Sequence, residues 1–142
     1  MYDPVTNEWT TVGQIPEEYL TSDNGAFTNA DETKVYVVGG YPLTYFNPDA
    51  LAITFSFDVE AAVAAAAAAE QGSAGDLVIT RHADLNTQRG DIHAVTSTDG
   101  KKAYVAGGAS SYPCEPLSVR IKVYAVVAFV EGKKKCILKC TV

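Results

Sequence analysis

Two stretches of the chain share one pattern of apolar and polar positions. Each begins with a short apolar segment, at residues 26–28 and 93–96, passes through a polar turn, and ends in a nearly continuous apolar run, at residues 34–38 and 102–106. Short apolar segments separated by a turn predict a β-hairpin. In the second stretch Asp99-Gly100 lies between the segments, and glycine accepts the positive φ that a tight turn requires. The chain is therefore predicted to contain two β-hairpins.

The two hairpins are copies of one unit. Residues 23–40 align with residues 91–108 without a gap, at an offset of 68 residues, and nine of the eighteen positions are identical. The identical pairs are Asp23/Asp91, Ala26/Ala94, Thr28/Thr96, Asp31/Asp99, Lys34/Lys102, Tyr36/Tyr104, Val37/Val105, Gly39/Gly107 and Gly40/Gly108. Both copies thus end in a glycine pair, which permits a sharp bend or the close approach of another segment.

A third element recurs after each glycine pair. An aromatic residue, Phe57 or Tyr124, follows the first glycine of the pair by 18 or 17 residues, and Phe57 is followed by Asp58. The same aromatic-acidic step opens the chain as Tyr2-Asp3 and is followed by Trp9. The predicted organisation is half a repeat over residues 1–20, a complete repeat over 21–84 and a terminal repeat over 85–142.

These elements resemble the kelch repeat, in which a hydrophobic strand ends in Gly-Gly and is followed by a Tyr-Asp-Pro-like step and a Trp. Residues 35–40 and 103–108 match the first part, residues 2–9 match the second, and residues 85–94 resemble the Arg-bearing lead-in. The resemblance implies an all-β fold of four-stranded propeller blades with aromatic residues packed between them. The motif residues are Tyr2, Asp3, Trp9, Tyr36, Gly39, Gly40, Phe57, Asp58, Arg89, Tyr104, Gly107, Gly108 and Tyr124.

The chain departs from the kelch pattern in repeat length. A kelch repeat is about 50 residues long, whereas the copies here are 68 residues apart, which indicates an insertion at about residues 60–75. The insertion contains Ala64–Ala69, whose composition fits both a short surface helix and a low-complexity loop. Trp is missing from the second repeat, and residues 77–79 are predicted to supply the outer strand.

The number of blades predicts an incomplete propeller. Propellers close with four to eight blades, and about two and a half are recognisable here. A piece of a longer propeller, a truncated gene product and half of an assembly all fit this count. Because blades of a repeat fold are stabilised by their neighbours, the isolated chain is not expected to fold as an autonomous monomer.

Composition narrows the class of protein. Of the 142 residues, 47% are hydrophobic and 20% are charged, which is enough apolar material for a packed core. Eleven basic and 17 acidic residues give a net charge of -6, which argues against nucleic-acid binding. The longest aliphatic run, residues 123–130, is too short to span a membrane, so no membrane partner is predicted and the cytoplasm is favoured.

The C-terminal tail is basic. Residues 120–142 contain six basic residues and one acidic residue, a net charge of +5, so residues 1–119 carry -11. Three interpretations fit: a terminal hairpin of residues 122–130 and 135–141 that turns at Glu131-Gly132, non-native sequence at a mispredicted gene end, and a functional basic tail.

Residues suited to catalysis are few. His82 and His93 are the two imidazoles, and no zincin, nucleophile-elbow, P-loop or dinucleotide motif occurs. Asp91 and His93 lie two residues apart, on one strand face, where a structural role at the hairpin entrance is favoured over a metal site. No catalytic, metal-binding or cofactor-binding residue is predicted, and no cofactor.

The sequence does not assign a role to the three cysteines or to two of the arginines. Cys114, Cys136 and Cys140 form an odd number without C-x-x-C spacing, which does not decide their redox state. Arg81 and Arg89 flank the predicted outer strand and fit a structural role and a ligand-facing surface equally well.

The kelch resemblance implies a non-catalytic scaffold that binds a protein partner through the loops of one propeller face, here residues 41–48 and 109–116. Further blades from a longer chain, or a second copy in a homo-oligomer, are the other expected partners. The alternative function is a fragment of a kelch-type enzyme that resembles copper-dependent sugar oxidases or sugar-acid isomerases.

Overall fold

The structure is a computed structural model that describes residues 1–43, 49–69 and 75–110, together with the backbone of residues 128–130 and 133–135. The elements in chain order are β1 (Tyr2–Asp3), β2 (Glu8–Trp9), a 3-10 turn (Glu17–Tyr19), β3 (Thr21–Ser22), β4 (Gly25–Thr28), β5 (Lys34–Val38), β6 (Tyr41–Pro42), β7 (Thr54–Asp58), α1 (Val59–Ala68), β8 (Thr80–Arg81), β9 (Gly90–Thr96), β10 (Ala103–Ala109), β11 (Ala128–Val130) and β12 (Lys133–Lys135).

The largest sheet contains four antiparallel strands in the order β4-β5-β7-β8. Val38 and Phe55, in its two central strands, are fully buried. The fold is mostly β-strand in several antiparallel sheets with one helix, as an all-β class predicts. The described strands form no closed propeller.

The two hairpins predicted from the internal repeat are confirmed. β4 pairs with β5 and β9 pairs with β10, both antiparallel. Their registers are equivalent: Ala26 lies opposite Val37 and Ala94 opposite Val105, each partner shifted by 68 residues. Below, the first hairpin means β4-β5 and the second hairpin means β9-β10.

The second hairpin packs against the first through equivalent positions. The backbone N–H of Asp91 donates to the carbonyl of Asp23 at 2.9 Å, and the hydroxyl of Thr96 donates to the carbonyl of Thr28 at 2.5 Å. Each bond joins a residue to its own counterpart. The core between the hairpins consists of Phe27, Val38, Ile92, Ala103 and Val105, with Tyr36, Leu85 and Ala94 packed against it.

Each hairpin turn is held by an aspartate that the repeat has in common. The carboxylate of Asp31 accepts from the hydroxyl of Thr33 at 2.9 Å, and that of Asp99 accepts from the hydroxyl of Ser97 at 2.6 Å. These hydrogen bonds stabilise the charged form and lower the pKa of both exposed carboxyls. Side-chain hydrogen bonds therefore stabilise both turns. In the second turn, Gly100 has a φ of +65°.

The alanine-rich insertion forms a helix. Asp58 is the N-cap of α1, since its side chain accepts from the N–H of Ala61 at 2.9 Å. The helix begins at Val59 and ends at Ala68, so it starts directly after β7 and includes most of the predicted alanine run. Of the two alternatives for this insertion, a helix and a low-complexity loop, the helix is the one that forms. Among the residues that the structure describes, no helix is long and apolar enough to cross a bilayer.

Two predictions about outer elements need correction. Trp9 was predicted to lie in the core, but its side chain is 79% exposed and contacts the ring of Tyr2, with centroids 5.1 Å apart. The reason is that β1 and β2 pair only with each other. The outer strand of the large sheet is Thr80–Arg81, not residues 77–79, because Thr80 and Arg81 pair with Ser56 and Phe55.

Within the predicted terminal hairpin, Ala128–Val130 pairs antiparallel with Lys133–Lys135. The predicted turn at Glu131-Gly132 lies outside the described residues. The second strand begins at Lys133 rather than at residue 135. Tyr124 and the remainder of the predicted basic tail lie outside the described residues.

Candidate functional site

The glycine pairs direct the chain into the loops that follow the two hairpins. Gly39 and Gly40 have φ values of +61° and +94°, and Gly107 and Gly108 have +83° and +96°. These are conformations that side chains with a Cβ rarely adopt. The glycine pairs therefore end β5 and bend β10 in the same way.

Backbone hydrogen bonds tie these loops to one another. Gly40 N–H donates to Arg89 O at 2.7 Å, Arg89 N–H donates to Leu51 O at 3.0 Å, and Leu51 N–H donates back to Gly40 O at 2.7 Å. Ala50 N–H reaches Ser110 O at 2.8 Å, beyond the second glycine pair. We call this surface, formed by residues 41–43, 49–51, 85–90 and 108–110, the loop face. It is fixed by main-chain contacts between both repeats.

The buried side chain of Tyr41 stabilises the loop face from inside the fold. Its side chain is 5% exposed, and its hydroxyl donates to a carboxylate oxygen of Asp91 at 3.1 Å. The ring lies against Gly90, where no Cβ would fit. The repeat comparison missed Tyr41 because its counterpart is Ala109; the available signal was an aromatic residue directly after a glycine pair.

The two arginines whose role was open both bond to backbone. The guanidinium of Arg89 donates to Gly107 O at 3.4 Å, which links the loop before β9 to the glycine pair after it. Arg81 donates to Thr54 O at 3.2 Å and forms an ion pair with Asp84. These contacts favour the structural role for both, and they hold Arg89 at the loop face.

The exposed part of the loop face is apolar in its first loop. Leu43 is 57% exposed beside the buried Tyr41. An exposed leucine is suited to contact a protein partner, because its apolar surface is buried when the partner docks. The predicted binding segments 41–48 and 109–116 begin here, and their residues 44–48 and 111–116 lie outside the described chain.

The histidines lie apart. His82 follows β8, at one edge of the large sheet. His93 lies on β9, which packs beside β4 at the opposite edge. Nε2 of His82 is 2.8 Å from the hydroxyl of buried Ser56, and its ring contacts that of Tyr36. Burial, reinforced by the charges of Lys34 and Arg81, lowers the pKa of His82 below 6.5. Among the described residues no three His, Cys, Asp or Glu side chains are grouped to hold a metal ion.

A concave region lies between α1 and the segment before β8. This groove has a volume of about 260 Å³ and is lined by alanines of α1 together with Leu77 and Val78. Lys34, Asp58 and Asp76 supply charges of both signs. Since acid and base are present together, the groove selects no single class of charged ligand.

The other predicted motif residues have structural contacts. Tyr36 stacks on Phe27, with centroids 5.0 Å apart and planes at 2°. Phe57 and Tyr104 are half-buried strand residues. The carboxylate of Asp3 accepts from Val5 N–H at 2.8 Å, and that of Asp58 caps α1. The motif residues therefore shape the hairpins and turns, and of them only Arg89 and the glycine pairs border the loop face.

Comparison with known proteins adds little. No protein-family model and no curated protein matches the chain. One solved structure, a fungal alcohol oxidase of the AA5 family in complex with copper, is similar to 64% of this chain at 21% identity, with a TM-score of 0.47. The chain spans 16% of the length of that oxidase. At this distance the similarity carries no argument about fold or activity.

Proposed function

We propose that the chain is part of a kelch-type β-propeller and acts as a non-catalytic scaffold that binds a protein through the loop face. The observation that carries this proposal is the set of main-chain hydrogen bonds that joins Gly40, Ala50 and Leu51 to Arg89 and Ser110. A binding surface on a rigid support loses less conformational entropy when a partner docks. The repeat equivalence of the hairpins supports the kelch assignment.

The residues of the loop face have two different roles. Tyr41 and Arg89 stabilise the face, because their polar atoms are hydrogen-bonded to Asp91 and Gly107. Leu43 is available to contact a partner, because more than half of its surface is accessible. A protein partner of matching chemistry presents an apolar pocket to Leu43 and polar backbone to the surrounding loops.

The test compares two exposed apolar residues. Proteins that bind the full chain are recovered from its native cells, purified, and titrated against the wild type, Leu43→Asp and Val78→Asp. Val78 is the matched control, since it is 84% exposed and lines the α1 groove instead of the loop face. Burying an unpaired charge at a contact leucine is expected to weaken binding at least about tenfold, whereas Val78→Asp leaves it unchanged.

Two outcomes would overturn the proposal. Equal losses for both variants, or none for either, would place the partner elsewhere on the chain. Copper in a one-to-one ratio with the purified full chain, measured by elemental analysis, would instead favour the oxidase-like alternative.

A further inference from the structure

The hairpin of β1 and β2 presents a pair of aromatic rings to solvent. Tyr2 and Trp9 lie opposite each other across the two strands, with ring centroids 5.1 Å apart, and are 43% and 79% exposed. The hydroxyl of Tyr2 donates to Oδ1 of Asn7 at 2.9 Å, which holds that ring in place. The pair is therefore an ordered aromatic surface, and such surfaces attract ammonium and guanidinium groups.

The outer edge of β2 has an open main-chain position at Trp9. Met1 and Thr10 form a hydrogen-bonded pair, in which the N–H of Thr10 donates to the carbonyl of Met1 at 2.8 Å and the terminal amine donates back. Because hydrogen-bonded and non-hydrogen-bonded pairs alternate, the N–H and C=O of Trp9 point away from β1. Among the described residues neither group has a hydrogen-bond partner. An additional strand can therefore pair with β2.

The surroundings of this edge are acidic. Residues 1–33 contain seven acidic residues, all exposed, and no lysine or arginine. Asp3 and Glu8 lie directly opposite each other in the hairpin, where like charges repel. In the part of the chain that the structure describes, the Glu8 carboxylate has no hydrogen bond or ion pair. Charge complementarity thus selects a basic partner for this edge and disfavours acidic peptides, nucleic acids and anionic lipids.

From these three features we propose that β2 binds an extended, lysine- or arginine-rich segment of another protein as an added strand. The residue of that segment opposite Trp9 exchanges two main-chain hydrogen bonds with it, as in other cases of peptide recognition by strand addition. Its cationic side chain lies on the face of Trp9 and Tyr2, whereas its two sequence neighbours point to the other face, beside Glu8. One register therefore fills the open main-chain position, covers the aromatic surface and neutralises the carboxylate.

The first experiment titrates the full chain with an acetylated pentalysine amide. Trp9 is the single tryptophan of the chain, so its emission reports directly on this edge. A saturable change in emission is expected, with an affinity that falls as the salt concentration rises. Two matched peptides separate the contributions: Nε-acetylation removes the charges and keeps the backbone, whereas N-methylation of the backbone removes the main-chain donors and keeps the charges. Each is expected to bind about fivefold more weakly or worse.

The second experiment removes one carboxylate at a time from the full chain. Glu8→Gln is expected to weaken pentalysine binding about threefold, as for an exposed ion pair. Glu32→Gln, in the turn of the first hairpin, is the matched control: it makes the same change in net charge at another exposed glutamate and should leave the affinity unchanged at physiological salt. Far-ultraviolet circular dichroism checks that both variants keep the fold.

Three results would overturn the proposal: an unchanged Trp9 emission, an equal response to either modified peptide, or equal weakening by both substitutions. Sedimentation velocity tests a second copy as the occupant. Salt-sensitive self-association that is lost when Lys133–Lys135 are replaced by glutamine would assign the edge to the basic tail of another copy and overturn the choice of a foreign partner. Leu43→Asp alters the loop face and leaves β2 intact, so the binding proposed there can fail or succeed separately.

Discussion

The sharpest prediction concerns one glycine position that occurs twice. Gly39 and Gly107 are counterparts with φ values of +61° and +83°, so a side chain at either position is disfavoured by about 1–2 kcal/mol. Their surroundings differ. A Cβ on Gly39 would overlap the carbonyl oxygen of Arg89 and lie 2.8 Å from Cδ1 of Ile92. A Cβ on Gly107 would meet a single atom among the described residues within 4 Å, the carbonyl oxygen of Asp91 at 3.7 Å.

A Cβ at Gly39 would also disturb a hydrogen bond of the neighbouring residue. The Arg89 carbonyl accepts the N–H of Gly40 at 2.7 Å, and this bond joins the two repeats. Overpacking typically destabilises by about 1–3 kcal/mol, and a strained or lost hydrogen bond adds about 1 kcal/mol. We therefore expect Gly39→Ala to lower the free energy of unfolding by about 3–6 kcal/mol and Gly107→Ala by about 1–2 kcal/mol.

The assay is urea unfolding of both variants, followed by far-ultraviolet circular dichroism at low protein concentration. Trp9 fluorescence is unsuitable because that side chain is exposed. Comparable m values would show that all forms expose the same surface on unfolding. If both variants lose the same stability within about 0.5 kcal/mol, or Gly107→Ala loses more, the packing of the second hairpin against Gly39 is refuted.

Three further substitutions test single contacts. Asp58→Ala removes the N-cap of α1 and is expected to lower stability by about 1 kcal/mol, with a loss of helical circular dichroism. Tyr41→Phe removes the bond to Asp91 and is expected to cost about 1–2 kcal/mol in urea unfolding. Because the pKa of His82 is lower in the folded chain than its ordinary 6.5, stability should be complete above pH 6.5 and fall below it; a pH titration of the ring protons by NMR, with His82→Gln as control, checks the sign.

The hairpins were predictable from the sequence because their own geometry is encoded in residues that both copies share. Asp23 and Asp91 both adopt positive φ, at 52° and 54°. Asp31 and Asp99 both fold their turns. Local geometry of this kind depends on few residues close in sequence, so identity between the copies is a reliable sign of it.

Contacts between elements were less predictable. Trp9 fits the position of a core aromatic, but whether it is buried depends on what packs against β1 and β2, and the sequence of those strands does not contain that neighbour. Tyr41 was missed for the opposite reason: its burial under the loop face depends on Gly90, 49 residues later. The loop face as a whole arises from main-chain bonds, which leave no residue pattern to detect.

The positions at which the two copies differ are also explained by contacts between elements. The first strands of the two hairpins are identical at Ala26/Ala94 and Thr28/Thr96, but His93 and Val95 occupy the positions of Gly25 and Phe27. Gly25 and Phe27 are buried by the second hairpin, so their size is constrained; His93 and Val95 are exposed, so theirs is not. Substitutions at residues 25 and 27 should therefore lower the free energy of unfolding far more than the same substitutions at residues 93 and 95, which urea unfolding of the matched variants would measure.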